Sequence, residues 1–466
     1  VEPVEAQVLG RFLSQWHGIG RLRGGLDGLL DTIEQLQGVP LVASILEHEV
    51  LPARVTGYAP AQLDTLLGAG EVSWVGVEPL GDRDGRIALY LTDHMPRLLP
   101  PTVESGKATT STPVAGTRIL SETEEGVLAK LRESGAAFFA PLHKSLGGGF
   151  PKETVDALWA LAWKGLVTND TLHALRGYLR PPERARRLGR ATAFRSRRLV
   201  PPSAEGRWTA IATAPGGSLT EWATAFSQQL LTRHGVVTRE VTSIEQIPGG
   251  FSAIYPVMRR LEETGRVRRG YFVAGLGAAQ FAQPGAIDLL RAAREETEAP
   301  YVVTLAATDP ANPYGALLPW PSSAPPGPSL LTAGDGSDPG PAASMRTSRS
   351  AGARVVLVDG RLTAWIGRGD RTMLIALPSD EPDRSRVARA LAQQLVDLAH
   401  RAPEGSRGWL IEEINGDKAA IDPVTPFLLQ AGFAVTAMGL QLRVARRPHR
   451  LTAEHATVAD TEGDDA

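Results

Sequence analysis

Cysteine is missing from all 466 residues. Its absence removes disulfide frameworks, thiolate zinc sites and cysteine nucleophiles together, and it suits a reducing cytoplasm. A surplus of charge is missing too. With 49 basic side chains against 51 acidic ones the formal charge is −2, so no global field directs the chain to nucleic acid or membrane. Any such partner has to meet a local patch. No apolar run reaches membrane-spanning length, and the opening VEPVEAQVLG lacks the basic-then-apolar order of a secretion signal. The reading is cytoplasmic, with no membrane partner. The chain opens on Val1 rather than methionine, which suits a piece of something longer.

Several chemical signatures are also lacking. The stretch ESGKATTST carries Gly-Lys, but Pro101 stands where the first glycine of a P-loop belongs, so no ATP or magnesium site is expected in this chain. No G-x-S-x-G elbow occurs. His17, His48, His94, His143, His173, His234 and His400 are scattered without metal-ligand spacing, and no metal site is expected. The string GYFVAGLGAAQFAQPGAIDLL resembles a dinucleotide loop only briefly. Gly275 and Gly277 fit G-x-G-x-x-G, but Gln280 holds the third place and the preceding strand follows the basic RVRR of a hairpin.

What is present is a pattern repeated three times: helix, helix, then a glycine followed by β-branched residues. Leu26, Leu29, Leu30, Ile33 and Leu36 keep helical spacing ahead of a helix stopped by Gly70, a strand from Val72 and a hairpin read at Asp84-Gly85. Leu158, Leu161, Ala162 and Leu166 form a second stripe, closed by Gly165, which also takes in Trp159 and Trp163. The third copy runs from LTEWATAF to the RVRRGYFVAG hairpin. Two or three helices capped by a hairpin make a winged helix. After Pro300 the period changes to short strands, with turns at Asp359-Gly360 and Gly367 to Asp370, followed by a long helix and further strands.

The resulting class is α+β: tandem winged helices at 1–99, 117–180 and 207–298, then a β-barrel module with helical additions at 299–449. Pro-, Ser- and Gly-rich or charged stretches read as a linker at 100–116, an arginine-rich linker at 181–206, an unstructured insert at 321–344 and an acidic tail at 450–466.

TGRVRRGYFVAGLGAAQFAQPGAIDLLR, LAATDPANPYGALLPWP and LLDTIEQLQGVPLVASILEHEVLPARVTGYAPAQLDTLLGAGEVSWVG together resemble the carboxyl-terminal accessory region of the bacterial large helicase-related (Lhr) proteins, superfamily 2 DNA repair helicases. The resemblance implies attachment to an ATP- and magnesium-dependent motor absent from this chain. It further implies binding to single-stranded or tailed duplex DNA, self-association up to a tetramer, and association with the nucleoid. It also brings in a likeness to winged-helix DNA glycosylases, which use a Gln-apolar-Gln or Gln-apolar-Asp arrangement, and a proposed excision of uracil. A purely structural oligomerisation region is the third reading.

Candidate residues follow. The run RPPERARRLGRATAFRSRR holds eight arginines against Glu183 alone, and Arg184, Arg186, Arg187, Arg190, Arg195, Arg197 and Arg198 are candidates for phosphate contact. A solvated linker is the plainer reading. In the third copy Arg259 and Arg260 fall on the recognition helix, and Arg266, Arg268 and Arg269 open the hairpin, where Tyr271 could stack on a base. For glycosidic cleavage the candidates are Gln280, Gln283, Asp309 in ATDPANPYG and Asp422 in AIDPVTPFL. The last also reads as a helix cap, and the two glutamines as wing packing.

Overall fold

A computed structural model describes residues 2–20, 23–100, 119–180, 200–212, 218–277, 279–295, 298–321, 347–401 and 408–443. Most of the linker, the insert, the tail and the whole run 181–199 lie outside the described residues.

Three units share one plan. The first runs through helix Gly25–Leu36, strand Leu41–Val42, a short helical stretch, helix Pro60–Ala69 and strands Val72–Leu80 and Asp84–Leu91. The second has helix Glu122–Ser134, strand Ala136–Phe138, helices Phe139–Ser145 and Pro151–Trp163, and strands Val167–Asn169 and Arg207–Ala210. The third has helix Leu219–His234, strand Val236–Val237, helices Arg239–Ile244 and Gly250–Glu263, and strands Arg268–Gly270 and Gln280–Ala282. In each, the last strand lies between the first and the second, the winged-helix sheet. Local chemistry sets the boundaries. Ser121 with Glu124 and Ser218 with Glu221 close capping boxes, and Gly70 ends its helix at φ 78°.

Two sequence expectations shift. The first hairpin turns at residues 81–83, because Asp84 is already paired with Leu80. Asp84 instead accepts from the Ser44 amide and hydroxyl, and Gly85 lies under the Trp163 ring, where a Cβ has no room. Strand Arg207–Ala210, read as the start of the third module, completes the sheet of the second, since Trp208 is wholly buried among that unit's residues.

The first two units share one core. Trp74, Ile87, Leu89, Leu158, Leu161 and Trp208 belong to it, and Trp159 stacks with Tyr178 at 4.4 Å and Trp74 at 6.2 Å. Trp159 and Trp163 are thus core residues, and their apolar faces are not offered to bases.

After residue 300 the strands Val302–Ala306, Arg354–Val358, Arg361–Ile366, Thr372–Ile375, Glu413–Ile414 and Asp417–Lys418 form an open six-stranded sheet in that order. Strands Trp409–Ile411, Ala434–Thr436 and Gly439–Leu442 form a separate small sheet. The expected barrel is therefore not found among the described residues: the first and last strands of the larger sheet do not pair. Alternation explains why both faces need cover. Val356, Ala364 and Ile366 pack on helix Asp383–Arg401, while Val303, Leu305, Val355 and Leu357 face the other way. That second face is covered by the helix Ala6–Trp16, whose Leu9, Phe12 and Leu13 wedge between the sheet and helix Pro284–Ala292 of the third unit.

Candidate nucleic-acid interface and acidic cleft

The third unit's recognition helix is amphipathic for a visible reason. Ile254 and Met258 are buried, with Phe251, Tyr255 and Leu261 packed around them, while Arg259 and Arg260 turn outward. Both arginines reach the same Glu263, at 3.4 and 3.2 Å, in exposed one-turn pairs that contribute little stability and can be exchanged for a phosphate. Arg266, Arg268 and Arg269 follow at the root of the wing. All three are exposed, and among the described residues no carboxylate pairs with them.

The glycine-rich string is the wing itself. Gln280 is fully buried: its Oε1 accepts from the Phe272 and Val273 amides at 2.8 and 2.9 Å, and its Nε2 donates to the Val273 carbonyl at 2.8 Å. Glu240 accepts from the Gly277 amide at 3.1 Å, and the backbone of Val4 bridges to Val273 on the other side. Tyr271 remains 42% exposed, with its hydroxyl accepting from the Gly275 amide at 2.9 Å. The wing is a preorganised loop that holds an aromatic face beside three cations.

The other sequence candidates do not converge. Gln283 is half-buried at the start of helix Pro284–Ala292 and makes no side-chain cap bond. Asp309 is enclosed, with both oxygens held by Arg54, so it cannot be presented at a mouth as the turn sequence suggested. Asp422 accepts from the Val424 amide at 2.9 Å and the Asn415 side chain at 3.0 Å, a turn ahead of helix Thr425–Gln430 and not its N-cap, which is Val424. Arg184, Arg186, Arg187, Arg190, Arg195, Arg197 and Arg198 lie outside the described residues. In chain order their segment falls between strands Val167–Asn169 and Arg207–Ala210.

A feature missed in the sequence lies between the first and third units. Glu34 and His94 border two adjoining cavities, one of about 310 Å³ with Asp31, Glu71 and Asp93, the other of about 200 Å³ with Arg97, Gln228, Gln229 and Thr232. Beneath them Gln37 is buried. Its Nε2 lies 3.2 Å from His94 Nδ1, and its Oε1 accepts from the Leu91 amide at 3.0 Å. Gln229 ties the units together by donating to the carbonyls of Glu34 and Gln35 at 2.8 and 3.1 Å. Gln35, two residues before Gln37, is buried and donates to the Trp16 carbonyl at 3.0 Å.

A buried ionic network joins these units behind the cleft. Arg233 and His234 hold Glu245 at 2.6 and 2.7 Å, and Arg233 also donates to the Gln37 carbonyl. Burial alone would raise the Glu245 carboxyl, but the Arg233 charge and the His234 bond bring it down to about 2. His17, 3.5 Å from Arg54, is held well below the usual imidazole range by burial and by the Arg54 charge.

Two family profiles, each described as a large helicase-related protein winged-helix domain, match residues 4–92 and 217–302. Among curated proteins, the "Lhr helicase/ probable uracil glycosylase" of Mycolicibacterium smegmatis is 38% identical over 95% of this chain and 28% of its own length. The "Lhr helicase/uracil glycosylase" of Escherichia coli is 33% identical over 89% of this chain and 26% of its own. The chain therefore spans about a quarter of these relatives. A solved structure, Streptomyces sahachiroi DNA glycosylase AlkZ, overlaps 84% of this chain and 95% of its own at 14% identity and a TM-score of 0.46.

Proposed function

The chain belongs to the large helicase-related protein family, and from that premise we propose that it is a DNA-binding accessory region of a longer, ATP-driven DNA repair helicase. The observation that supports this most is the exposed trio Arg266, Arg268 and Arg269 beside Tyr271 on a braced wing. Cations at a wing root meet the phosphate backbone, and an exposed ring meets an unpaired base, so a tailed duplex or single strand is the substrate form expected. The arginine-rich segment, with eight arginines against Glu183, would add a second backbone contact. Self-association, a proposal carried by the family alone, is read from the solution mass.

The test is fluorescence anisotropy on tailed and single-stranded oligonucleotides across a salt series. The triple change Arg266→Gln, Arg268→Gln, Arg269→Gln should weaken binding and reduce the salt slope by about 0.7 to 0.9 per lost contact, with an unchanged melting temperature. An unaltered slope would remove the third wing from the interface.

A second reading, base excision, is favoured by the acidic cleft. Breaking an N-glycosidic bond is helped by a carboxylate that stabilises the cationic sugar or takes a proton from water, or by amide side chains that orient that water, while the departing base accepts the bonding pair. Glu34 has no ion-pair partner among the described residues and borders both cavities, with Gln37 and His94 fixed beside it. Oligonucleotides containing uracil, treated with the chain and then with alkali, should give a strand break that Glu34→Gln abolishes. A product of equal yield from Glu34→Gln would put the chemistry elsewhere, and no product at all would leave only the binding role.

A further inference from the structure

Away from wing and cleft, a cavity of about 510 Å³ opens where helix Ala6–Trp16, the end of helix Pro284–Ala292, the turn at Asp359 and the start of helix Asp383–Arg401 meet. Its position follows from a glycine contact. Gly10 and Gly360 approach so closely that a Cβ on either would run into backbone of the facing segment, which clamps the first helix onto the turn and sets Arg11 in the cavity wall.

Four arginines line this space, Arg11, Arg294, Arg361 and Arg386, against the two carboxylates of Asp359 and Asp383. Arg386 takes both carboxylates, at 2.8 Å each. Arg361 is held mainly by the neutral Gln7 at 2.9 Å, with Asp383 a loose 3.7 Å away, and among the described residues Arg294 donates only to the carbonyls of Glu2 and Pro3. Arg11 is 7% exposed and has no carboxylate partner among the described residues. One of its amino groups donates to the Glu295 carbonyl at 2.6 Å, and its Nε is buried without an acceptor. The nearby acids Glu5 and Glu295 contribute no side chain to the lining.

A guanidinium buried without a counter-ion is costly, and planar forked donors match the oxygens of a phosphoryl group. We propose that this cavity binds a phosphate-bearing anion, supplied either by a nucleic-acid backbone or by a free polyphosphate. The site is separate from the wing and does not depend on the DNA reading above. Four guanidiniums from four elements face two carboxylates, both of which Arg386 engages, so the lining keeps a surplus of positive charge for an anion.

The test is calorimetric titration of the full chain with inorganic pyrophosphate at fixed ionic strength, with chloride as control. Saturable single-site binding is expected, weakened about tenfold or more in Arg294→Gln and Arg361→Gln, each of which loses charge-assisted hydrogen bonds. These two side chains are partly exposed, so the test survives if the buried Arg11→Gln fails to fold. No saturable heat, or undiminished affinity in both rim variants, would overturn the proposal. The source is read by adding pyrophosphate to chain bound to a labelled oligonucleotide. Displacement beyond the chloride control identifies a backbone phosphate, and binding without displacement identifies a free polyphosphate.

Discussion

Arg54 and Asp309 meet as a forked pair at 2.7 and 2.9 Å, each 1% exposed, across 255 residues of sequence. Asp309 also accepts from the Ala311 amide at 2.8 Å, so the first unit is bolted to the turn that leaves the sheet's first strand. Removing one partner leaves the other charged and buried. Asp309→Asn is expected to cost about 3–5 kcal/mol in denaturant unfolding, and the joint replacement Arg54→Met with Asp309→Leu less than that. Equal losses in both variants would show that the pair's geometry, and not its compensated charge, holds the junction.

Stability should fall as the solution is acidified, in two stages. His17 binds its proton more weakly folded than unfolded, so below its ordinary value near 6.5 the unfolded chain gains protons first. The slope is at most about 1.4 kcal/mol per pH unit for one proton. Glu245, depressed to about 2, contributes stability that is complete above 4.5 and is lost as pH falls towards 2. Melting temperatures of wild type and His17→Gln between neutral and mildly acid pH decide the first stage. Parallel curves would exclude His17.

Gln280→Leu should loosen the wing while keeping side-chain bulk. Three backbone groups of Phe272 and Val273 would lose their partner, each at about 1–3 kcal/mol if left dry. Hydrogen exchange at residues 272–274 reports it, and protection equal to wild type would show that water replaces the amide.

Gly10→Ala tests the clamp on the turn. The added methyl meets the Gly360 carbonyl, and overpacking of this kind costs about 1–3 kcal/mol. The same substitution should weaken pyrophosphate binding, because Arg11 moves with its helix. Unchanged stability and binding would mean that the contact is easily relaxed.

What could be read from sequence was local. Gly70, the Leu158 stripe and the turn at Asp359-Gly360 each announce themselves within a few residues, and the structure uses them as read. Partners far apart in sequence were not legible. Nothing near Asp309 points to Arg54, and nothing near Trp208 assigns its strand to the unit ahead of it. Short irregular strands after residue 300 suggested closure, but whether two edges meet depends on their pairing, which composition does not encode. The cleft was half legible. Glu34 lies on, and Gln37 ends, a helix whose apolar stripe was readable, but their neighbour Gln229 comes from another unit 192 residues from Gln37.

The position of helix Ala6–Trp16 has a consequence for synthesis. Its apolar side chains find cover on residues near 287, 305 and 357, so the ribosome must add roughly 270 to 350 residues before that cover exists. At about 5–20 residues per second this is a delay of roughly 15–70 s. During it Leu9, Phe12 and Leu13 form a greasy stripe with nowhere to dock, a natural handle for chaperones.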